Sequence, residues 1–139
     1  MGTTLRSTLS DKNPYWIEKH RYYELKHFCM QYPDWRKAYA LLDGMPTRSE
    51  AAMIFAIKRA TGDPTAKQAV AKEFYSKRID MLERVAAWTD PVIGIYILQG
   101  VTKGISYDTL NAKLTVPCCK DIYYDLYRRF FWLLDKERQ

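Results

Sequence analysis

Apolar residues recur every three to four positions through most of this sequence, and Pro, Gly, Asn and Asp mark the breaks between the resulting segments. This spacing is typical of amphipathic helices, which bury one face and leave the other in water. The pattern therefore predicts an all-α protein, a multi-helix bundle. Its helices are expected at residues 15–32, 34–42, 49–60, 64–88, 91–103, 106–114 and 119–137.

Local signals indicate where these helices begin and end. In Asn13-Pro14, Asp63-Pro64 and Asp90-Pro91 a capping side chain precedes a proline, which the first turn of a helix tolerates. Gly44 can close the helix before it in a left-handed conformation. The residues before Asn13 show no periodicity, so a frayed N-terminal tail is expected.

Stripes of large apolar residues on three helices are expected to form the core. The long helix carries the most regular one, Phe74, Met81 and Trp88, spaced by seven. Such a stripe suits packing along another helix, either inside the protein or in a homodimer. The expected core positions are Trp16, Tyr23, Leu25, Phe28, Cys29, Met30 and Tyr32, then Val70, Phe74, Met81, Val85 and Trp88, then Ile93, Tyr96, Ile97 and Val101.

The C-terminal segment predicts a short helix, a tight turn and a longer helix. Gly104 can end the preceding helix, and Ser106 can cap the short one. Pro117 disfavours helical geometry at Val116, so the short helix should end near there. A helix-turn-helix DNA reader has this order of elements, although two packed helices are also a common unit of all-helical proteins.

The last helix predicts a buried face and a polar face. The buried stripe is expected at Ile122, Leu126, Arg129 with Phe130, and Leu133, which follow a spacing of three to four. The opposite side would face a DNA groove. It carries Lys120, Asp121, Tyr124, Asp125 and Arg128.

Two runs in this segment resemble known families. Gly104-Ile-Ser-Tyr-Asp-Thr-Leu-Asn-Ala-Lys-Leu-Thr-Val116 resembles sigma-70 region 4, and Tyr123-Tyr-Asp-Leu-Tyr-Arg-Arg-Phe-Phe-Trp-Leu-Leu134 is similar to the last helix of RinA/ArpU-type phage transcription regulators. The likeness covers the chain from Gly104 onwards. It implies a sequence-specific, DNA-binding phage or prophage regulator with a C-terminal helix-turn-helix and no cofactor. Double-stranded DNA would be its partner, and a homodimer is compatible with it.

The resemblance also implies roles for individual residues. Lys120, Asp121 and Tyr124 would approach base edges, and Arg128, Arg129 or Lys113 would meet phosphates. The chain departs from the family pattern at Cys118-Cys119, where a hydrophobic residue and a serine-like cap are usual, and at Asp121 with Asp125, which put negative charge on the reading face. The alternative is therefore a phage-encoded protein-interaction module or inhibitor, with RNA polymerase or a host-defence protein as its target.

Composition and charge are compatible with both hypotheses. The net charge is +6, of which four units fall in residues 1–60 and two in residues 100–139, so the basic excess is not concentrated in the proposed reader. The 139 residues are expected to form an N-terminal helical region, 1–62, and a second region, 63–139, within one domain. Aromatic residues make up 14% of the chain, so rings should contribute much of the core.

No motif predicts an enzyme or a metal site. The sequence lacks a glycine-rich phosphate loop, a nucleophile elbow and a paired acid and base. His20, His27 and Cys29 are close in sequence but lack zinc-ligand spacing. Three cysteines do not build a disulfide framework, and neither a leader nor a long apolar run is present, so a cytoplasmic location in a bacterial host without membrane contact is expected.

Overall fold

The computed structural model describes residues 13–43 and 64–139, and every regular element within those ranges is an α-helix. This confirms the all-α, multi-helix prediction. None of these helices is long and apolar enough to span a membrane. The predicted helix at 49–60, the N-terminal tail and the Gly44 stop lie outside the described residues. The helices are α1 Lys19–Met30, α2 Tyr32–Asp43, α3 Pro64–Thr89, α4 Gly94–Lys103, α5 Tyr107–Leu114 and α6 Lys120–Glu137.

The helices divide between two units. One comprises α1, the last turns of α3 from Met81 onwards, and α4 to α6; the other comprises α2 and the preceding part of α3. The domain boundary predicted between residues 62 and 63 falls outside the described ranges. The unit that contains the C-terminus carries the candidate site.

The core of this unit is built around the aromatic side of α6. Tyr123, Tyr127, Phe130, Phe131 and Leu134 are buried there, where α6 packs against α1 and α4. Neighbouring rings meet edge-on or tilted, with centroids about 5 Å apart, which is a favourable arrangement for aromatic quadrupoles. Because a fully buried Phe or Leu contributes roughly 1.5–3 kcal/mol, this side of α6 makes a large contribution to the stability of the unit.

The first helix begins later than predicted. The Asn13 side chain accepts a hydrogen bond from the Tyr15 N–H, and this stabilises a turn instead of a helix start. Glu18 is the N-cap of α1, and its carboxylate accepts the N–H groups of His20 and Arg21. These bonds favour the ionised carboxylate and lower the pKa of Glu18.

The buried face of α1 only partly matches the prediction. Leu25, Phe28 and Cys29 are buried as expected, as is Tyr32 at the start of α2. Met30 and, before the helix, Trp16 are exposed, and Tyr23 is half-buried. Tyr22 is buried instead. Its ring packs edge-on against Phe131, and its hydroxyl lies 3.1 Å from that of Tyr127, so the surface of α6 selects Tyr22 over its neighbour.

The seven-residue stripe of α3 is not a buried spine. Val70, Phe74 and Trp88 are exposed, and Met81 is half-buried. In the last turns of α3 the buried positions are Leu82, Val85, Ala86 and Thr89, of which only Val85 was expected. A spacing of seven marks a helix face, but the face that is buried depends on what packs against it.

The predictions for α4 are confirmed in most respects. Ile93, Ile97 and Val101 are buried, and Tyr96 is half-buried. The Asp90 carboxylate accepts hydrogen bonds from the N–H groups of Val92 and Ile93 at 2.9 and 2.7 Å. The Asp-Pro signal therefore marks the turn that leads into α4, whose regular part begins three residues after Pro91.

Gly100 allows α4 to approach α6 closely. A Cβ at this position would lie 2.3 Å from the Tyr123 hydroxyl oxygen, well inside contact distance. Tyr123 is fully buried, and its hydroxyl has no hydrogen-bond partner in the described ranges. Burial also raises the pKa of this hydroxyl, so it stays neutral.

We therefore expect Gly100→Ala to lower the free energy of unfolding by about 1–3 kcal/mol, the usual cost of overpacking. Tyr123→Phe removes a buried hydroxyl without a partner, and should change this free energy by less than about 1 kcal/mol or raise it. The double variant should recover most of the loss, because the clashing atom is gone. Urea denaturation of the three variants measures the coupling, and strictly additive effects would contradict this account.

Candidate functional site

The first part of the candidate site is the junction between α4 and α5. Gly104 closes α4 in the left-handed conformation, at φ 67°, and its N–H bonds the Val101 carbonyl. Ser106 then caps α5, since its hydroxyl oxygen accepts the Thr109 N–H. Both features were predicted from the sequence and are confirmed.

The turn after α5 depends on a strained residue. Thr115 adopts φ 54°, in the left-handed region that a β-branched residue rarely occupies. Asn111 stabilises this turn twice, because its main-chain carbonyl accepts the Thr115 N–H and its side-chain oxygen accepts the Val116 N–H at 2.8 Å. Val116 is buried and anchors the chain before it enters α6.

Two tyrosines join α5 to α6 reciprocally. The Tyr107 N–H, at the start of α5, donates to the Tyr124 hydroxyl on α6 at 3.0 Å. The Tyr107 hydroxyl donates in turn to the Cys118 carbonyl, just before α6, at 2.6 Å. Burial raises the pKa of Tyr107, so its hydroxyl keeps the proton that it donates. We call this pair of bonds the tyrosine clamp; it fixes the position of α6 relative to α5.

The clamp corrects the predicted orientation of α6. Tyr124 was expected at the DNA-facing surface, but it is only 6% exposed and its hydroxyl is engaged inside the unit. Of the stripe predicted to be buried, only Phe130 is buried: Ile122 is 53% exposed, and Leu126, Arg129 and Leu133 are intermediate. The helix is rotated because its aromatic positions bury more apolar surface than the aliphatic stripe would.

The other polar residues at the start of α6 lie at the surface. Lys120, Asp121 and Asp125 are exposed, as is Lys113 at the end of α5. The Lys120 ammonium lies 3.2 Å from a carboxylate oxygen of Asp108. Both side chains are mostly solvated, so this ion pair contributes little to stability and leaves Lys120 available to a stronger partner.

The two arginines of α6 differ in their surroundings. The Arg128 side chain is 19% exposed; its Nη1 lies 3.9 Å from Asp125, and its buried Nε has no hydrogen-bond partner among the residues described. Arg129 donates to the carbonyls of Thr89 and Trp88, at 3.3 and 3.5 Å, and so caps the end of α3. Arg128 is therefore the arginine with unused hydrogen-bonding capacity.

The adjacent cysteines differ in exposure, since Cys118 is half-buried and Cys119 is exposed. Cys119 is the N-cap of α6 but makes no side-chain capping bond, and both cysteines are free thiols. Burial, followed by the charges of Cys119 and Asp90, raises the pKa of Cys118 and keeps its thiol protonated. No cluster of three or more potential metal ligands occurs in residues 13–43 or 64–139.

Comparison with family models, with curated proteins and with solved structures finds no match for this chain.

Sequence reasoning missed two residues that shape the site. No local pattern marked Tyr107 as a site residue, yet its two hydrogen bonds position α6. Ile122 was expected in the core, yet it lies on the surface. The concentration of rings at Tyr123, Tyr124 and Tyr127 is the signal that could have indicated the true buried face.

Removal of the two clamp hydroxyls should lower the free energy of unfolding by different amounts. Tyr124→Phe leaves a buried N–H without a partner and should cost about 1–3 kcal/mol, whereas Tyr107→Phe should cost about 0.5–1.5 kcal/mol. Tyr96→Phe is the matched control, since this half-buried hydroxyl makes no hydrogen bond within the described part of the chain. Urea denaturation gives the three values, and equal effects at all positions would show that the clamp is not stabilising.

Proposed function

We propose that this chain is a sequence-specific DNA-binding regulator of the phage or prophage type, with α6 as its recognition helix. The observation that supports this most is the α5–turn–α6 pair, in which a clamped short helix precedes a longer one that begins with exposed Lys120 and Asp121. Helix-turn-helix readers present the N-terminal residues of their second helix to the major groove.

The exposed residues of this turn suit base edges. Lys120 donates only, so it matches the acceptors of guanine, whereas Asp121 accepts only and matches the amino group of cytosine. Both extend from the first turn of α6. A mixed donor and acceptor pair would select for sequence more strongly than a uniformly basic surface.

Phosphate contacts would come from Lys113 and Arg128. Lys113 is exposed at the C-terminal end of α5, and Arg128 has a buried Nε without a partner in the described ranges. Because the Arg128 side chain is only 19% exposed, it would have to turn outward to donate to a phosphate oxygen in place of Asp125, which lies 3.9 Å from its Nη1. Arg129 contributes less to this surface, because it bonds main-chain carbonyls of α3.

A second candidate function is binding to a protein, such as RNA polymerase or a host-defence protein. Asp108, Asp121 and Asp125 lie near the start of α6 and would repel phosphates. Ile122, 53% exposed between two aspartates, suits a protein surface better than a sugar-phosphate backbone. In this alternative the same pair of helices presents an apolar and acidic ridge.

DNA binding should respond differently to the two cations of α6. Arg128→Gln should weaken binding to all duplexes alike and make the slope of log K against log salt shallower by about 0.9. Lys120→Gln should relax the preference at one base pair, by about 1–3 kcal/mol. Lys77→Gln changes the net charge equally but lies in the other unit, so it serves as the control.

The measurement is a gel shift with duplex fragments from the DNA flanking its own gene, over a series of salt concentrations, after circular dichroism has confirmed that each variant is folded. If the parent chain does not bind at low salt, or if both α6 variants bind as it does, α6 is not a DNA reader.

Removal of the carboxylate that faces Lys120 should strengthen DNA binding. Because exposed ion pairs are worth about 0.2–1 kcal/mol, Asp108→Asn should tighten binding by roughly 1.4- to fivefold. The same change in a Lys120→Gln background should increase DNA affinity by less, since that variant has no ammonium to be released from Asp108. An identical gain in both backgrounds would show that Lys120 makes no contact with DNA.

A further inference from the structure

An open groove of about 490 Å³ runs along one side of α3, in the unit that contains α2. Its lining is mostly apolar and comes from six residues of this helix: Ala66, Lys67, Val70, Ala71, Phe74 and Tyr75. They occupy positions i, i+1, i+4, i+5, i+8 and i+9, so the helical repeat places all of them on one face. We call this face the α3 groove.

The apolar side chains of the α3 groove are exposed. Val70 is 67% exposed and Phe74, one turn further on, is 45% exposed. The Phe74 ring meets the half-buried Tyr75 ring edge-on, with centroids 5.2 Å apart, so the apolar surface continues from one ring to the next. Single exposed apolar residues are common on protein surfaces, but adjacent ones that line a groove indicate a binding surface.

The side chains at the two ends of the groove are basic. Lys67 is exposed at the N-terminal end, and Lys77 and Arg78 follow Phe74 by about one turn at the other. All three lie within about 60° of Phe74 around the helix axis. The Arg78 guanidinium lies 3.6 Å from the centre of the Phe74 ring and donates to the Phe74 carbonyl, which places this cation at the edge of the groove.

The carboxylates of this part of α3 lie to one side of the groove. They belong to Glu73 and Asp80, which point about 100° and 120° away from Phe74. Glu73 pairs with Lys77 at 3.0 Å, but both side chains are mostly exposed, so the pair is weak and can be exchanged for a partner's carboxylate. The α3 groove is thus an apolar surface with a basic rim.

We propose that the α3 groove binds an acidic amphipathic helix of a partner protein. The apolar side of such a helix would cover Val70 and Phe74, and its glutamates or aspartates would meet Lys67 at one end and Lys77 with Arg78 at the other. Lys67 and Lys77 are ten residues apart, about 15 Å along α3, so a partner helix of roughly three turns would reach both.

A second copy of this chain fits the groove less well. In an antiparallel contact of α3 with its copy, the register that places Val70 against Phe74 also places Lys67 against Lys77, and the like charges repel. A parallel contact would place each lysine beside its own copy.

Nucleic acid and lipid also fit less well. Bases stack on open aromatic faces, whereas Arg78 already covers the Phe74 ring and the neighbouring Val70 is aliphatic. A lipid surface is flat, whereas the α3 groove is concave and matches the cylinder of a helix.

This proposal does not depend on DNA binding. The groove belongs to the unit formed by α2 and the first part of α3, whereas the proposed recognition helix α6 belongs to the other unit. The residues that test the two proposals differ, so failure of one leaves the other standing.

The probe is a synthetic helix of about 18 residues, roughly five turns, with leucines at the positions i, i+3, i+4 and i+7, glutamates beside them, and alanines and glutamines elsewhere. Its binding to the full chain is measured by fluorescence anisotropy of the labelled peptide. A version with lysine in place of glutamate, and a version with shuffled leucines, should each bind at least about tenfold more weakly, a difference of 1.4 kcal/mol.

Two variants of the chain test the groove. Val70→Ser with Phe74→Ser should weaken binding of the glutamate peptide about tenfold. Lys67→Glu with Lys77→Glu should also weaken it about tenfold, yet the same variant should bind the lysine peptide more tightly than the parent chain does. A loss of folding would not produce this reversal. Amide chemical shifts should change mainly at residues 66–78.

Matched controls make the same kinds of change at exposed positions of the other unit. Ile95→Ser removes an exposed apolar side chain, and Lys19→Glu with Lys103→Glu alters the net charge equally. Both should leave binding of the glutamate peptide within about twofold of the parent chain at physiological ionic strength, where distant charges are screened.

Four results would overturn the proposal. Absence of binding by the glutamate peptide, or equal binding by the lysine peptide, would remove its basis. A dimer in sedimentation experiments that Val70→Ser with Phe74→Ser abolishes would assign the groove to a second copy. Binding of the chain to a single-stranded oligonucleotide, or to vesicles of phosphatidylglycerol, that this folded variant loses while the peptide binds neither chain would assign it to nucleic acid or to lipid.

Discussion

The rotation of α6 about its own axis is the constraint on which the rest of the site depends. Its aromatic side packs into the core, and the tyrosine clamp fixes its start against α5. A rotation by one residue would bring Ile122 into the buried place of Tyr123 and Tyr124 into the exposed place of Asp125, with a loss of ring packing and of the Tyr124 hydrogen bond. Because rings bury more area than aliphatic side chains and can also bond through their hydroxyls, the aromatic side is the one that is buried.

The features predicted correctly from the sequence are those with local causes. Gly104 ends α4 because its own backbone tolerates a positive φ, and Ser106 caps α5 because its hydroxyl reaches an N–H three residues on. The Asp90 carboxylate accepts hydrogen bonds from N–H groups two and three positions further along the chain. Such interactions are complete within one turn of chain, so short patterns specify them without knowledge of the fold.

The faces of the helices could not be predicted in the same way. In α1 the sequence pattern favours neither Tyr22 nor Tyr23 as the buried residue. Tyr22 is buried because it contacts Phe131 and Tyr127, more than a hundred residues away in sequence. The α6 pattern contains two apolar faces 100° or so apart, an aliphatic and an aromatic one. For that reason Tyr124 was expected at the surface and Ile122 in the core, when the structure has them the other way round.

This inversion changes the chemistry that α6 offers to a partner. With Tyr124 inside, the first turns carry exposed Lys120 on one side and exposed Ile122 on another, separated by Asp121 and Asp125. The ammonium of Lys120 suits an anionic partner such as the duplex proposed above, whereas the isoleucine suits an apolar one. Under the proposed DNA-binding function, contact of Lys120 with the duplex would leave the Ile122 side of the same clamped helix open to a protein.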